Sequence, residues 1–249
     1  MTESITRIES GNEIDSLLNK HFLTKIRSGF VEVGENKFCL PVSYEKFRDD
    51  LENFEVRDSD VYLIAHPKTG TTWVQEMVWL IVNDLNYEGA KEPNYVRFPN
   101  LDAAMYTENK LHLDINYMDK LNQIPAPRFL RCHLPWSLLP KQIRNGTKKP
   151  KIISTVRSAE DVCVSYYHHC KLVEGYTGSF DEFCQLFIAG RVVPGRRVCM
   201  ENFDPEPENR ETDPDDTDPV ASSSRVQRDG TLSEEEISET EEANTRQEM

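Results

Sequence analysis

Residues 61–73 read VYLIAHPKTGTTW, and this stretch decides the fold. A short apolar run leads into a Lys-Thr-Gly-Thr-Thr turn, and an apolar segment with helical character follows. Gly70 lets the backbone approach an anion closely, and the first N–H groups of a helix that begins at Thr71 point outward without intrahelical acceptors. Lys68 adds a full positive charge. The stretch therefore predicts a strand, a phosphate-binding loop and a helix.

The turn also has a plainer interpretation, and it departs from the commonest nucleotide-binding pattern. Gly and Thr are frequent turn and cap residues, so the turn also suits an ordinary connection between a strand and a helix. The pattern G-x-x-x-x-G-K-[ST] is absent, because Lys68 precedes Gly70 instead of following it. An ordinary ATPase or GTPase is therefore disfavoured.

The charge of the chain is unevenly distributed. The chain has 249 residues and a net charge of −14. Residues 201–249 contain 17 acidic residues and 4 arginines, with many Pro and Ser and almost no large apolar residues. Such a composition cannot bury enough apolar surface to fold. We therefore expect an α/β domain over residues 1–193 and a disordered acidic tail over residues 194–249, with an acidic interaction arm as the alternative for the tail.

Cysteine usage and hydropathy indicate the compartment. The six cysteines show no C-x-x-C spacing, and the N-terminal sequence MTESITRIES lacks the apolar core of a signal peptide. No apolar run reaches the ~18 residues that a membrane-spanning helix needs. These observations predict a cytoplasmic protein with reduced thiols and without a membrane or nucleic-acid partner. His168, His169 and Cys170 are adjacent and point to different faces of a helix, which argues against a metal site.

Much of the remaining chain has helical or extended patterns. Apolar residues recur at helical spacing over residues 14–26, and residues 29–41 have the pattern of a hairpin that turns at Gly34. Residues 44–53 predict a further helix. We expect the N-terminal helix and the hairpin to pack as a lid or a flank. The segment 71–86 is apolar nearly all round, which predicts a buried helix.

Three apolar runs are predicted to form the central sheet. VYLIA at residues 61–65 is followed along the chain by RFLRCHLP and KIISTVR, and each run ends in a loop. Strands that alternate with helices form parallel sheets, which bind ligands beyond the carboxyl ends of their strands. Lys68, His133 and Arg157 lie at or just past such ends, so we expect them to converge. Taken singly, His133 also suits a structural loop residue, Arg157 a solvated charge and Ser165 a hydroxyl on a helix surface.

Three segments together resemble the successive motifs of the cytosolic sulfotransferase family. They are PKTGTTW, PRFLRCHLP and TVRSAEDVCVSYYHH, in the family's order and in the strand or loop context that each motif needs. The likeness spans most of residues 20–193. It implies a P-loop-like parallel sheet flanked by helices, and an enzyme that needs no metal. Such an enzyme transfers a sulfonate group from PAPS (3′-phosphoadenosine 5′-phosphosulfate) to the hydroxyl of a small acceptor such as a phenol, a steroid or an alcohol.

The resemblance also implies roles for individual residues. His133 would be the general base, and Lys68 would stabilise the leaving phosphate. Arg157 and Ser165, eight residues apart as in the family pattern, would hold the 3′-phosphate of the nucleotide. Trp73 would stack on adenine. The loop that binds the 5′-phosphosulfate would comprise Lys68, Thr69, Gly70, Thr71, Thr72 and Trp73.

Three positions depart from the family pattern. His66 stands where an aromatic residue usually precedes the loop proline, Arg131 replaces a lysine, and Cys132 replaces the threonine before the histidine. Arg in place of Lys keeps the charge but exchanges a compact ammonium for a planar fork. Cys132 lacks a hydroxyl donor. Either of these last two changes can weaken turnover, and neither alone rules it out.

The likeness ends near Val193, where FIAGRVV gives way to the acidic tail. The sequence holds no counterpart to the remaining third of the family fold, including its Arg-Lys-Gly clamp for the 3′-phosphate and its homodimer motif. Two functions stay open: a PAPS-dependent sulfotransferase, or a catalytically inactive family member that acts as a binding or regulatory protein. A nucleotide kinase is a distant third. An incomplete sheet also predicts uncovered apolar faces, an unpaired edge and a tendency to aggregate.

Overall fold

The computed structural model of the protein describes residues 4–24, 27–106 and 117–194. All of them fall within Met1–Val198, the first of the two units into which the chain divides. The second unit, Cys199–Met249, lies outside the described residues. The predicted acidic tail therefore also lies outside them, apart from Pro194.

The described residues form short strands and helices in alternation. In chain order the strands are β1 (Ile5–Arg7), β2 (Phe30–Val33), β3 (Phe38–Pro41), β4 (Val61–Ile64), β5 (Phe129–Cys132) and β6 (Lys151–Ile153). The helices are α1 (Glu13–Phe22), α2 (Tyr44–Glu52), α3 (Thr71–Val82), α4 (Asn94–Arg97), α5 (Tyr117–Gln123), α6 (Lys141–Arg144), α7 (Ala159–His169) and α8 (Phe180–Ile188). None of the helices within the described ranges is both long and apolar enough to cross a membrane.

The central sheet is parallel, which confirms the predicted fold class. Its strand order is β5-β4-β6, so the strand of the opening stretch lies in the middle. Val61 of β4 aligns with Phe129 of β5 on one side and with Lys151 of β6 on the other. Because the three strands run in the same direction, their carboxyl ends meet at one edge of the sheet.

Side chains of the central sheet alternate between its two faces, as strand geometry requires. On one face, Leu63 and Phe129 pack with Phe98 beneath α3. On the opposite face, Tyr62 and Leu130 belong to a larger apolar core that also includes β2, β3 and α2. The sheet is therefore held between α3 on one side and the hairpin with α2 on the other.

Helix α3 is only half covered, so the prediction of a buried helix over residues 71–86 is wrong for the described structure. The helix ends at Val82. The side that carries Val78 packs on the sheet, whereas Met77 and Ile81 are exposed. A helix that rests on one sheet buries one side, and within the described ranges no other element covers the second side. The uniform apolar pattern does not reveal this asymmetry.

The predicted hairpin is present and belongs to a second, antiparallel sheet. β2 and β3 pair with Val33 opposite Phe38, across a turn in which Gly34 has a φ of 70°. β1, which the sequence patterns do not reveal, extends this sheet by pairing with β2. Val33 and Phe38 lie in the same apolar core as the central sheet, so the hairpin is a flank and not a separate lid.

Helices α1, α7 and α8 share an aromatic cluster. The ring of Phe183 lies 6.5 Å from that of Phe22 and 6.2 Å from that of Tyr166, measured between centroids. α8 opens with a capping box in which Ser179 and Glu182 satisfy each other's backbone N–H groups. The capping box is a signal in the sequence for the start of α8. The helix has only 9 residues, and the periodicity of so short a segment does not predict it.

A buried ion pair joins the amino ends of β4 and β5. Arg128 Nη2 donates to Asp60 Oδ2 at 2.7 Å and Arg128 Nε donates to Asp60 Oδ1 at 3.0 Å, with both side chains fully buried. Arg128 Nη2 also donates to the carbonyl of Glu55 at 2.7 Å. Removing one partner of such a pair leaves an uncompensated buried charge, which costs about 3–5 kcal/mol. The pair therefore fixes the strands at the edge of the sheet opposite the predicted site.

Candidate active site

The carboxyl edge of the central sheet carries the three residues that the sequence singles out. Lys68 follows β4, His133 directly follows β5, and Arg157 lies just beyond β6. Arg157 Nη1 donates to the carbonyl of Lys68 at 3.3 Å, and His133 Nδ1 lies 2.7 Å from the carbonyl oxygen of Ala65. Residues from three separate stretches of the chain therefore meet around the loop between β4 and α3.

This loop is held in place by its own hydroxyl groups. Thr69 Oγ1 donates to the carbonyl of His66 at 2.7 Å and lies 2.7 Å from the hydroxyl of Thr155, which follows β6. Lys68 and Gly70 adopt left-handed conformations with φ of 66° and 92°. Gly adopts this conformation without steric cost, whereas a lysine there is strained, and such strain clusters at functional sites.

Helix α3 presents its amino end to the loop. Val74 donates its N–H to the carbonyl of Gly70, so the N–H groups of residues 71–73 have no acceptor within the helix. The partial positive charge of a helix amino end adds to the charges of Lys68 and Arg157. The residue types and the backbone conformation at this loop therefore fit an anion such as a phosphate or a sulfate ester.

His133 is held as a neutral imidazole. Its Nδ1 carries the proton, because the carbonyl of Ala65 can only accept a hydrogen bond. The lone pair therefore lies on Nε2. Burial, and next the positive charge of Arg131, lower the pKa of His133 to about 3. The imidazole is uncharged at neutral pH, which is the form that a general base requires.

Asp102 is a candidate functional residue that sequence reasoning missed. Its Oδ2 accepts a hydrogen bond from the backbone N–H of His133 at 3.0 Å and another from the hydroxyl of Tyr106 at 3.3 Å. Burial raises the pKa of Asp102 to about 6. Its signal in the sequence is one acidic residue within the mainly apolar segment PNLDAAM. That signal does not reveal that Asp102 contacts the backbone of His133, because this contact depends on the tertiary fold.

A cavity opens beside His133. Its volume is about 210 Å³, and apolar residues such as Leu40 and Leu134 line most of it. His66, a departure from the family pattern, also lines it, and so does Trp136. Burial lowers the pKa of His66, so a second neutral imidazole borders the cavity. The cavity suits a small apolar molecule with a polar group near His133.

Two predicted nucleotide contacts lie on different helices. Trp73 is in the first turn of α3 and is 79% exposed, so its ring faces solvent next to the loop. Ser165 is half-buried in α7 and makes no hydrogen bond to Arg157 or to the loop within the described part of the chain. The guanidinium of Arg157 lies 3.6 Å from the carboxylate of Asp161 instead. The roles of Trp73 and Ser165 stay predictions.

The other two departures from the family pattern lie inside the sheet. Arg131 Nη1 donates to Gln75 Oε1 of α3 at 3.5 Å. Cys132 is fully buried in the core on the opposite face. Neither side chain lines the cavity beside His133. The described residues also contain no group of three or more His, Cys, Asp or Glu side chains that could hold a metal ion.

Known proteins similar in sequence are sulfotransferases. The sulfotransferase domain family matches residues 58–198. Luciferin sulfotransferase of Photinus pyralis is 36% identical over 201 residues, which cover 77% of this chain and 54% of that protein. Sulfotransferase 1E1 of Homo sapiens is 36% identical over 155 residues, which cover 61% of this chain and 50% of that protein. The chain therefore spans about half the length of these curated relatives.

Similar solved structures agree with this result. The crystal structure of retinol dehydratase in complex with retinol and PAP matches with a TM-score of 0.66 at 26% identity, over 77% of this chain and 63% of that chain. The structure of retinol dehydratase with androsterone and the inactive cofactor PAP matches with a TM-score of 0.64 at 28% identity, over 76% of this chain and 62% of that chain. The arrangement of a parallel sheet flanked by helices is therefore shared with these proteins.

Proposed function

The chain belongs to the sulfotransferase domain family, and on that premise we propose that it transfers a sulfonate group from PAPS to the hydroxyl of a small apolar acceptor. The observation that carries this proposal is the meeting of Lys68, His133 and Arg157 around one loop. A base and a guanidinium that contact the backbone of a loop carrying a lysine suit in-line sulfuryl transfer. That reaction, like phosphoryl transfer, depends on positioning and charge stabilisation more than on covalent help from the protein.

The loop and the start of α3 are assigned to the nucleotide. PAPS supplies an activated sulfonate joined to a phosphate that can leave. Its 5′ end is assigned to the loop, where left-handed Gly70 and the N–H groups of residues 71–73 offer donors to an anion. Arg157, bonded to the carbonyl of the loop lysine, and Ser165 are assigned to the 3′-phosphate. Trp73, exposed beside the loop, is assigned to adenine.

The proton transfer is assigned to His133. Its Nε2 accepts the proton of the acceptor hydroxyl as the hydroxyl oxygen attacks sulfur, and general-base help of this kind contributes about 10² to 10⁴ in rate. Lys68 stabilises the negative charge that develops on the departing phosphate. The neutral state of His133 supports this assignment, because the base is present without prior loss of a proton.

The cavity beside His133 supports a small apolar acceptor. Its volume of about 210 Å³ and its mainly apolar lining favour a molecule with few polar groups. The two structural neighbours are complexes with retinol and androsterone, which are apolar alcohols. We extend that class to this chain as a phenol, a steroid or an aliphatic alcohol.

Transfer of labelled sulfonate from PAPS to a panel of phenols, steroids and aliphatic alcohols tests the proposal. We expect the wild-type chain to label at least one class, and His133→Ala to lower the rate by about 100-fold or more. His168→Ala is the matched control and should keep the full rate, because His168 is an exposed histidine of α7. Transfer that is unchanged in His133→Ala would remove the assignment of the base.

Nucleotide binding separates the proposed transferase from its alternatives. Adenosine 3′,5′-bisphosphate and ATP are compared as thermal stabilisers of the full chain, with Arg157→Ala as the variant that should lose a preference for the bisphosphate. Stabilisation by the bisphosphate together with transfer supports the proposal. Stabilisation without transfer to any acceptor supports an inactive binding protein. Stronger stabilisation by ATP contradicts both and favours a nucleotide kinase.

A further inference from the structure

Two cysteine thiols on neighbouring helices lie in contact. Cys163 belongs to α7 and Cys184 to α8, and their Sγ atoms are 3.7 Å apart. Both are free thiols. They are separated by 21 positions along the chain, so their contact depends on the packing of the two helices. Both lie at the apolar cluster that also contains Tyr166 and Phe183.

This pair differs from the other described cysteines. Cys39, Cys132 and Cys170 are buried free thiols, whereas the pair includes a cysteine that is not fully buried. The two members of the pair also differ in exposure, because Cys163 is 8% exposed whereas Cys184 is only half-buried. Cys184 is therefore the more exposed residue of the pair, and Cys163 is in contact with it.

We propose that Cys163 and Cys184 form a reversible disulfide when the protein meets a peroxide. This modification site does not depend on the sulfotransferase activity. A disulfide holds its sulfur atoms at about 2.05 Å, so the two Sγ atoms must approach each other by about 1.7 Å. Rotation of the two side chains and a small shift between α7 and α8 can supply this movement.

The more exposed thiol reacts first. The thiolate of Cys184 attacks hydrogen peroxide, the O–O bond breaks, and a sulfenic acid and a hydroxide ion form. The thiol of Cys163 then attacks the sulfenic sulfur, the S–S bond forms, and the sulfenic oxygen leaves as water with the thiol proton. The two cysteines together lose two electrons, and one peroxide is reduced to two waters.

The surroundings of Cys163 support the second role for this residue. Burial, and next the hydrogen bond with Cys184, raise the pKa of Cys163 to about 12. A thiol with so high a pKa is a poor first nucleophile towards a peroxide in solution, because the thiolate is the reactive form. It becomes effective when an electrophilic sulfur is already in contact with it.

The bond would join α7 to α8. Ser165 lies within α7 and Arg157 just before it, so the link would fix the helix next to both residues assigned to the 3′-phosphate. A link across 21 positions also restricts the unfolded chain. We expect oxidation to raise the thermal midpoint by about 5 °C or more.

Peptide mapping of the full chain tests the proposal. The protein is treated with hydrogen peroxide, its remaining thiols are blocked with an alkylating reagent, and it is digested without reductant. We expect one linked pair of peptides that contain Cys163 and Cys184, with a mass about 2 Da below the sum of the reduced peptides. Dithiothreitol should restore both thiols. Two fully alkylated thiols after excess peroxide would overturn the proposal.

Variants identify the role of each sulfur. Cys163→Ser should leave Cys184 as a sulfenic acid that dimedone traps, and Cys184→Ser should leave Cys163 reduced. Cys170→Ser, which removes a buried thiol outside the pair, is the matched control and should keep the linked peptides. A folding defect in a variant leaves the wild-type mapping valid. A sulfinic acid at Cys184 without a linked peptide, or a link from Cys184 to Cys199, would overturn the proposal.

Discussion

The proton affinity of His133 is set by its neighbours and not by the residue type alone. Burial removes water from the imidazole, Arg131 adds a positive charge nearby, and the carbonyl of Ala65 fixes the proton on Nδ1. Together these effects hold the pKa of His133 at about 3. A base with so low a pKa accepts protons weakly, and an anion bound beside it would strengthen it as a base.

We predict that adenosine 3′,5′-bisphosphate raises the pKa of His133. An anion beside the imidazole favours its protonated form, so the pKa should move towards its ordinary value. The measurement is an NMR titration of the histidine ring signals with and without the bisphosphate, and His133→Asn identifies the signal. His168 is exposed on α7, and its ring signal serves as the internal control. An identical His133 titration in the saturated protein contradicts the prediction.

Asp102 makes the stability of the fold depend on pH with a defined sign. Burial raises the pKa of Asp102 from its ordinary value of 3.8 to about 6. Between these values the folded chain holds a proton that the unfolded chain has lost. The free energy of unfolding contributed by this group is therefore fully present below pH 3.8 and falls as the pH rises through 6. The change is about 3 kcal/mol for a shift of about two pKa units.

Asp102→Asn should remove this dependence while it keeps an oxygen acceptor for the N–H of His133. Relative to the wild type, we expect the variant to gain stability steadily as the pH rises from about 4 to about 6. Chemical unfolding at a series of pH values measures the difference. Asp50→Asn, at an exposed position of α2, is the control and should show no such trend. A constant difference between Asp102→Asn and the wild type over this range would argue against the raised pKa.

At the scale of elements, the sequence predicts the strands, turns and helix starts that depend on neighbouring residues alone. β4, its loop and the start of α3 follow from an apolar run that ends at a glycine-containing turn, and the hairpin follows from the strand patterns around Gly34. The exposure of α3 is not predictable in this way, because it depends on which elements cover the helix. β1 has three residues, which are too few for a periodicity to emerge.

The same distinction applies to the candidate site. Lys68, His133 and Arg157 are recognisable because each follows an apolar strand, and parallel strands bring their carboxyl ends together. Asp102 lies outside these motifs and reaches His133 only through the fold, by a hydrogen bond between residues 31 positions apart. The contact between Cys163 and Cys184 likewise arises from helix packing, which single-helix patterns do not encode.

The loop before α3 depends on the left-handed conformation of Gly70. Its φ is 92°, and a Cβ at this position would meet no atom within 4 Å, so the cost of an alanine is conformational. We predict that Gly70→Ala lowers the free energy of unfolding by about 1–2 kcal/mol and weakens bisphosphate binding as the loop relaxes. Chemical unfolding and a binding titration measure the two effects. Gly11→Ala is the control, because a Cβ there meets only the carbonyl oxygen of Glu9 at 4.0 Å.

At the scale of the whole molecule, the described fold leaves apolar surface uncovered. Met77 and Ile81 of α3 are 53% and 71% exposed. Within the described part of the chain β6 pairs with β4 alone, so it is an edge strand, and its Ile152 is also exposed. Exposed apolar faces and open strand edges promote association between copies of a chain. The protein should therefore associate with itself as its concentration rises.

We predict that Met77→Glu with Ile81→Glu reduces this self-association. The two charges disfavour burial of the exposed side of α3 between molecules, while the side that packs on the sheet is untouched. The free energy of unfolding should change by about 0.5 kcal/mol or less, because both positions are on the surface. Sedimentation velocity over a concentration series measures the association. Val78→Glu, on the packed side of the same helix, should instead destabilise the fold, since it buries an unpaired charge. If the double variant associates as strongly as the wild type, then α3 is not the source of association, and the open edge of β6 is the next surface to alter.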